Sequence, residues 1–231
     1  MKTNAKARSL HITPHPPLSR RQLKALPALF KDKYLEVYRQ PVKTRAPLET
    51  TLNKIQSHQP HPRLWARLNK VLGVDFDPNK PISIFTIAQT NGFGDAVWAL
   101  QTIDGADAAL RLFAADVAEC VLPLFQEECP HDKAVAKAIQ TARRMAVAPI
   151  PSDQWDAVCK AAYQASWFTS SKAAEKAAIA ACETLCQTAA VAAQEALDNA
   201  YEAVCRASEG PLGKALDAAF LSLLARYHNE S

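Results

Sequence analysis

The sequence predicts an all-α protein: a multi-helix bundle with a basic, proline-punctuated helical N-terminal region and long alanine-rich C-terminal helices. Three observations lead there. Apolar residues recur at helical spacing from about residue 82 to Tyr227. The stretch Ser171–Ala207 holds neither Gly nor Pro and is dominated by alanine, the strongest helix former. No segment alternates apolar and polar residues between hairpin turns.

Taken in order, residues 1–18 read as an arm, because the three prolines of "HITPHPP" disfavour a helix. Ser19 can cap "RRQLKALPALFKDKYLEVY", with a kink or break at Pro27. "APLETTLNKIQ" and "PRLWARLNKVLG" read as two short helices, each opened by a proline and the second closed by Gly73. Asn79 is a candidate cap for a helix with Pro81 in its first turn, stopped at Gly92, where glycine tolerates a positive φ. Asp95 or a neighbour starts the next segment, which sends Trp98 and Leu100 into the core. Leu110, Phe113, Ala114, Val117 and Val121 mark one amphipathic helix. A second, opened by Pro130, has Val135, Ala138, Ile139, Ala142, Met145 and Ala146 inward. Its outer face carries Asp132, Lys133, Lys137, Gln140, Arg143 and Arg144. Ser152 or Asp153 caps a helix bearing Trp155, Cys159, Tyr163 and Trp167, whose tryptophans are expected in the core. The alanine-rich stretch would be about 55 Å long if straight, so a bend or split is expected. The last helix starts near Gly213 and turns Leu216, Ala219, Phe220, Leu223, Leu224 and Tyr227 to one side.

Charge divides the chain in two. Residues 1–80 carry 16 Lys and Arg against 5 Asp and Glu, and nine of the fifteen prolines; the remainder is mildly acidic. The expected organisation is a basic arm with short helices over 1–78 and an alanine-rich helical domain over 79–231. Arg20, Arg21, Lys24, Lys31, Lys33, Arg39, Lys43, Arg45, Arg63 and Arg67 are the candidate partner-binding cations of the first region. They suit a polyanionic or acidic partner, or the acidic half of the same chain. No apolar block of secretory or membrane-spanning length is visible, so a cytoplasmic protein with no membrane partner is expected. The six cysteines lie between Cys120 and Cys205 without a Cys-x-x-Cys, and read as buried free thiols in a reducing compartment. Cys182 and Cys186, four apart, stand too far from each other on one helix to bridge.

Most of the functional argument turns on "TNGFGDAVWAL". A Gly-x-Gly after an apolar run invites a dinucleotide loop, but the third glycine position holds Val97 and no second strand completes a βαβ unit. No Gly-Lys-Ser/Thr follows, so a P-loop fails as well. The β-branched "ISIFTI" leaves a strand reading open, but the corner reads as a turn between helices. Other chemistry is equally sparse. His11, His15, His58 and His61 lack Cys or carboxylate partners at ligand spacing, and His131 and His228 are isolated. Asp107 and Arg111 are spaced for a helix-surface ion pair. No catalytic set, metal site or cofactor is expected.

"TNGFGDAVWALQTI", "ALRLFAADVAECVLPLF" and "AVAKAIQTARRMA", in that order, resemble the immunity-protein family of bacteria and phages over roughly residues 82–207. The matching positions are Asn91, Gly92, Asp95, Trp98, Arg111, Pro123, Ile139 and Arg143. This chain departs from the family's usual acidic stretch with "CPHDKAVAKAIQ". The resemblance implies a helical, non-enzymatic inhibitor that neutralises a toxin or bacterial defence effector by stoichiometric binding in the host cytoplasm. An anti-CRISPR-type antagonist from a phage or mobile element is one form of it. The alternative is a nucleic-acid-binding protein acting through residues 1–80.

Overall fold

The structure, a computed structural model, describes residues 18–186, 188–208 and 212–229. The expected N-terminal arm, with His11 and His15, falls almost entirely outside them. The described chain is an all-α bundle with one two-stranded ribbon.

Helices α1 (Arg20–Ala25) and α2 (Ala28–Arg39) are separated at Pro27, which lacks the N–H that a continuous helix would use. Ser19 opens α1 with a capping box: its hydroxyl accepts from the Gln22 N–H at 3.3 Å, and Gln22 Oε1 accepts from the Ser19 N–H at 2.9 Å. Two expected caps are corrected in the next stretch. "APLETTLNKIQ" is not helical from Pro47, because Glu49–Thr50 (β1) pairs antiparallel with Ile82–Ser83 (β2). The buried Thr50 hydroxyl donates to the Thr102 carbonyl at 3.1 Å and fixes β1 in place. Helix α3 (Leu52–Ser57) therefore starts at the Thr51 cap, and α5 (Ile84–Asn91) at the Ser83 cap rather than at Asn79. Asn79 instead accepts from the Asn53 side chain at 2.7 Å. Between them, α4 (Pro62–Leu72) has proline in its first turn and ends at Gly73, as its sequence predicts.

After α6 (Phe93–Ala99) and a 3₁₀ turn at Leu100–Thr102 comes α7 (Asp107–Gln126), the central rod. It packs against α2 and four later helices: α8 (Ala134–Met145), α10 (Lys172–Glu183), α11 (Ala189–Arg206) and α12 (Gly213–Ala225). It is not amphipathic as expected, since neighbours bury it on nearly every side, Arg111, Asp116 and Glu119 included. At the centre of a bundle a helix has almost no solvent face, so its three buried charged groups need partners from the helices around it. Helix α9 (Ser152–Ser166) lies outside, against α8 and α10.

The alanine-rich stretch is split into α10 and α11, with Thr188 capping the second through the Val191 N–H. Helix α8 starts at Ala134, with the Asp132 carboxylate accepting its first N–H at 2.7 Å, and not at Pro130. Buried apolar residues from Leu18 to Tyr227 form one contiguous core that crosses the change in composition near residue 79. The segment before β1 also meets the residues after α12. Ala46 donates to the Tyr227 carbonyl and accepts from the Asn229 N–H, both at 2.9 Å. His228 is integrated there, its Nδ1 accepting from the Leu48 N–H at 3.2 Å. No helix among the described residues is long and apolar enough to cross a membrane.

Candidate docking surface

The glycine corner is a helix junction. Gly92 sits at φ 106°, ψ 171°, a backbone region open essentially to glycine alone, and it ends α5 and begins α6 at once. Asn91 pins the junction: its amide donates to the Leu64 carbonyl of α4 at 2.9 Å and to the Asp95 carboxylate at 3.1 Å. Leu100 is buried as expected, whereas Trp98 is half-buried. The strand reading of "ISIFTI" survives in its first two residues only.

The remaining motif positions also hold helices together. Arg111 does not pair with Asp107 on the surface. It is buried, and its Nη1 donates to the Thr184 and Cys186 carbonyls at 2.9 and 3.0 Å, satisfying acceptors at the end of α10. That contact reaches the place where the alanine-rich stretch is broken. Pro123 lies inside α7, and Ile139 is buried on α8.

Arg143, expected on the solvent face of α8, turns inward to a buried ionic centre. Its Nη2 donates to Asp116 Oδ1 at 2.7 Å and stands 2.5 Å from Glu119 Oε2, a charge contact without hydrogen-bond alignment. Asp116 Oδ2 accepts from Arg226 Nη1 at 2.9 Å and from the Tyr227 hydroxyl at 2.7 Å. Glu119 Oε1 is paired with Lys33 of α2 at 3.1 Å. Arg226 lies over the Tyr38 ring, 5.7 Å from its centroid, and donates to the Gln40 carbonyl. Burial alone would raise the Glu119 carboxyl, but Arg143 and Lys33 outweigh it and hold the group below its ordinary range. Burial, reinforced by the Asp116 charge, pushes the Tyr227 hydroxyl well up. Both carboxylates thus face cations of the protein itself, from α2, α8 and the end of α12, although Glu119 Oε2 accepts no hydrogen bond. The centre ties the first region to the last helix; its carboxylates hold structure.

The candidate cations of the first region separate into two groups. Arg20, Arg21, Lys24, Arg39, Lys43, Arg45, Arg63 and Arg67 are exposed, while Lys31 is half-buried. Lys33 belongs to the ionic centre and also pairs with Glu36 at 2.7 Å. His58 and His61 bond locally to Lys54 and Arg63 backbone atoms. Among the described residues no group of three His, Cys, Asp or Glu side chains could hold a metal ion.

The feature that sequence reasoning placed wrongly is the end of α9. Trp167, which the sequence assigns to the core, and its neighbour Phe168 are 67% and 79% exposed, and Tyr163 beside them is 46% exposed. Trp155 is half-buried. Tyr163 and Trp167 meet edge to face, with ring centroids 5.8 Å apart. The backbone under them is held firmly. The Trp167, Phe168 and Thr169 N–H groups donate to Gln164, Ala165 and Ser166 carbonyls. The Glu128 carboxylate accepts from the Ser170 and Ser171 N–H groups at 2.6 and 3.3 Å. The Ser171 side chain first, and then these N–H groups, hold that carboxyl below its ordinary value against burial. The result is an ordered ridge of three aromatic side chains facing solvent. Two adjacent aromatics just past a helix end, followed by the polar "TSS", carry the signal in the sequence, because the chain there leaves the helix whose inner face would bury them.

All six cysteines are free. Cys182 and Cys186 do not bridge, but Cys159 of α9 faces Cys182 of α10, with the two Sγ atoms 2.6 Å apart. Comparison of the chain with family models, curated proteins and solved structures gives no match.

Proposed function

We propose that this chain is a non-enzymatic protein-binding inhibitor that neutralises a toxin or bacterial defence effector by stoichiometric complex formation in the host cytoplasm. The form we favour is an anti-CRISPR-type antagonist carried by a phage or mobile element. The observation that carries the reading is the ridge of Tyr163, Trp167 and Phe168. Exposed aromatics clustered on an ordered backbone mark interaction sites, and tryptophan and tyrosine dominate the energy of protein interfaces. A ridge already ordered in the free protein loses little conformational freedom on docking. The resemblance of residues 82–207 to the immunity-protein family points the same way. The test is affinity capture with the purified chain from its native host, followed by reconstitution. The wild type forms a complex of fixed stoichiometry, and a Trp167→Ala, Phe168→Ser variant loses it. Turnover of a substrate by the pure protein overturns the proposal.

A second reading rests on the exposed cations Arg20, Arg21, Lys24, Arg39, Lys43, Arg45, Arg63 and Arg67. They suit the phosphate backbone of a nucleic acid. Contacts to about 6–10 phosphates would make affinity fall roughly 10³–10⁵-fold between about 50 and 200 mM salt. A missing or salt-insensitive gel shift removes this reading.

A further inference from the structure

We propose that Cys159 and Cys182 form a redox-modification site, at which a small-molecule disulfide converts the two thiols into a bond stapling α9 to α10. The inference stands independently of which partner the protein binds.

The pair is set apart from the other cysteines by where the fold puts it. Cys159 and Cys182 lie on the facing sides of two packed helices, with Sγ atoms 2.6 Å apart. The facing is mutual: Cys159 Sγ lies 3.8 Å from the Cys182 carbonyl oxygen, and Cys182 Sγ lies 3.4 Å from that of Cys159. Access is graded in the order that exchange requires. Cys159 is half-buried and open to a small reagent, whereas Cys182 is 5% exposed and stands behind it. The contact with Cys182 also lowers the Cys159 thiol, against the effects of burial, Glu183 and Asp156, and the other five thiols are all raised. Cys159, the more accessible of the two sulfurs, is the attacking one, since exchange needs a thiolate that the reagent can reach. Cys186 does not compete. Its thiol donates to the Glu183 carboxylate at 2.9 Å, and burial with that carboxylate pushes it up to about 12.

The chemistry is ordinary thiol–disulfide exchange. Cys159 releases its proton to solvent, and its thiolate attacks one sulfur of the disulfide RSSR. The S–S bond of the reagent breaks, a mixed disulfide forms on Cys159, and RS⁻ leaves and takes up a proton. Cys182 then gives up its proton, and its sulfur displaces the second RS⁻ from Cys159. Two protein thiols are oxidised to one disulfide, and RSSR is reduced to two RSH.

The experiment treats the full chain, without any partner, with oxidised glutathione. The expected product is lighter by about 2 Da, and peptide mapping finds residue 159 joined to residue 182. Two of the six thiols become unreactive, and reductant restores them. The oxidised chain melts several degrees higher, because the new bond restricts the unfolded chain. Cys182→Ser stops at a lasting glutathione adduct on Cys159, Cys159→Ser gives neither product, and Cys205→Ser behaves as wild type. If Cys159→Ser fails to fold, Cys159→Ala supplies the same comparison, and mapping of the wild type decides alone. Six reactive thiols after treatment, a bond between any other pair, or a wild type that halts at the adduct each overturns the proposal.

Discussion

Helices α7 and α9 are of similar make, rich in alanine and carrying both charged and large apolar side chains, yet they spend them in opposite ways. Fifteen of the 20 residues of α7 are buried, among them Arg111, Asp116 and Glu119. Only three of the 15 residues of α9 are buried, and none of its aromatics is among them. The ordinary rule puts charge outside and aromatics inside. Inside α7 the charges are all answered: Asp116 by Arg143, Arg226 and Tyr227, Glu119 by Lys33 and Arg143, Arg111 by carbonyls of the α10 end. At the far end of α9, Tyr163 touches Trp167 and both then face solvent, while Trp155 packs part of its surface on the core. One helix shows how the bundle is held, and the other shows where binding capacity is left over.

If that contrast is right, the largest loss of stability comes from the ionic centre. Asp116→Ala leaves the Arg143 and Arg226 guanidinium groups without their shared carboxylate. Removing one partner of a buried pair costs about 3–5 kcal/mol. The expected result is a fall of that size in urea unfolding, with Asp116→Asn also well below wild type because it restores shape without charge. A loss under about 1 kcal/mol for Asp116→Ala would place the centre among surface ion pairs, and the contrast with α9 would fail.

The junction that aims α5 and α6 comes next. A Cβ at Gly92 meets no atom within 4 Å, so Gly92→Ala is costly for its backbone alone. At φ 106°, ψ 171°, about 1–3 kcal/mol is expected. Gly94, also with open space and without a positive φ, is the internal control: Gly94→Ala leaves the unfolding midpoint unchanged or raises it.

A smaller, graded effect follows from Glu119. Its folded carboxyl is held below the ordinary value of 4.5, so the unfolded chain binds that proton more readily. The stability it contributes is complete above the unfolded value and is lost as pH falls through the folded one. Denaturation midpoints measured from neutral pH down to about 3 should therefore decline, and Glu119→Gln should flatten part of that decline. Asp198 and Asp217, raised by burial, pull in the opposite direction over the same range. An unchanged acid slope in Glu119→Gln would mean that Arg143 and Lys33 do not stabilise the charged form.

What the sequence makes legible is punctuation whose chemistry is local. Ser19, Pro27, Gly73 and Gly92 each act within a turn of their own position, and three of the four stand as their type predicts from neighbours alone: Ser19 as a cap, Pro27 as a break, Gly73 as a stop. Gly92 stops α5 too, in a still more restricted conformation than the left-handed one expected. The all-α class follows from the same local terms. Periodicity then misassigns what a distant partner decides. It puts Arg143 outside with Arg144, because a charge is taken to face water, whereas Asp116 and Glu119 on another helix draw it in. It pairs Arg111 with Asp107, four residues away, although carbonyls more than 70 residues away compete better. The ribbon of β1 and β2 is hidden for the same reason, since neither two-residue strand has any pattern until the other is found. The aromatic ridge is hidden for the converse reason, since the apolar character of Trp167 alone points to burial while the partner that would bury it is absent from the described residues.

The smallest expected effect on stability is the most discriminating. Trp167 and Phe168 are mostly in solvent, so Trp167→Ala with Phe168→Ser should move the unfolding free energy by no more than about 0.5 kcal/mol. If the ridge is the docking surface, the same double variant should weaken a reconstituted complex by about 2 kcal/mol or more, roughly 30-fold in Kd. The pairing of these two numbers is what matters. Stability unchanged with binding lost places the recognition energy on α9. Stability lost by several kcal/mol means that the aromatics pack in solution, and the outer helix is then built on the same terms as the central one.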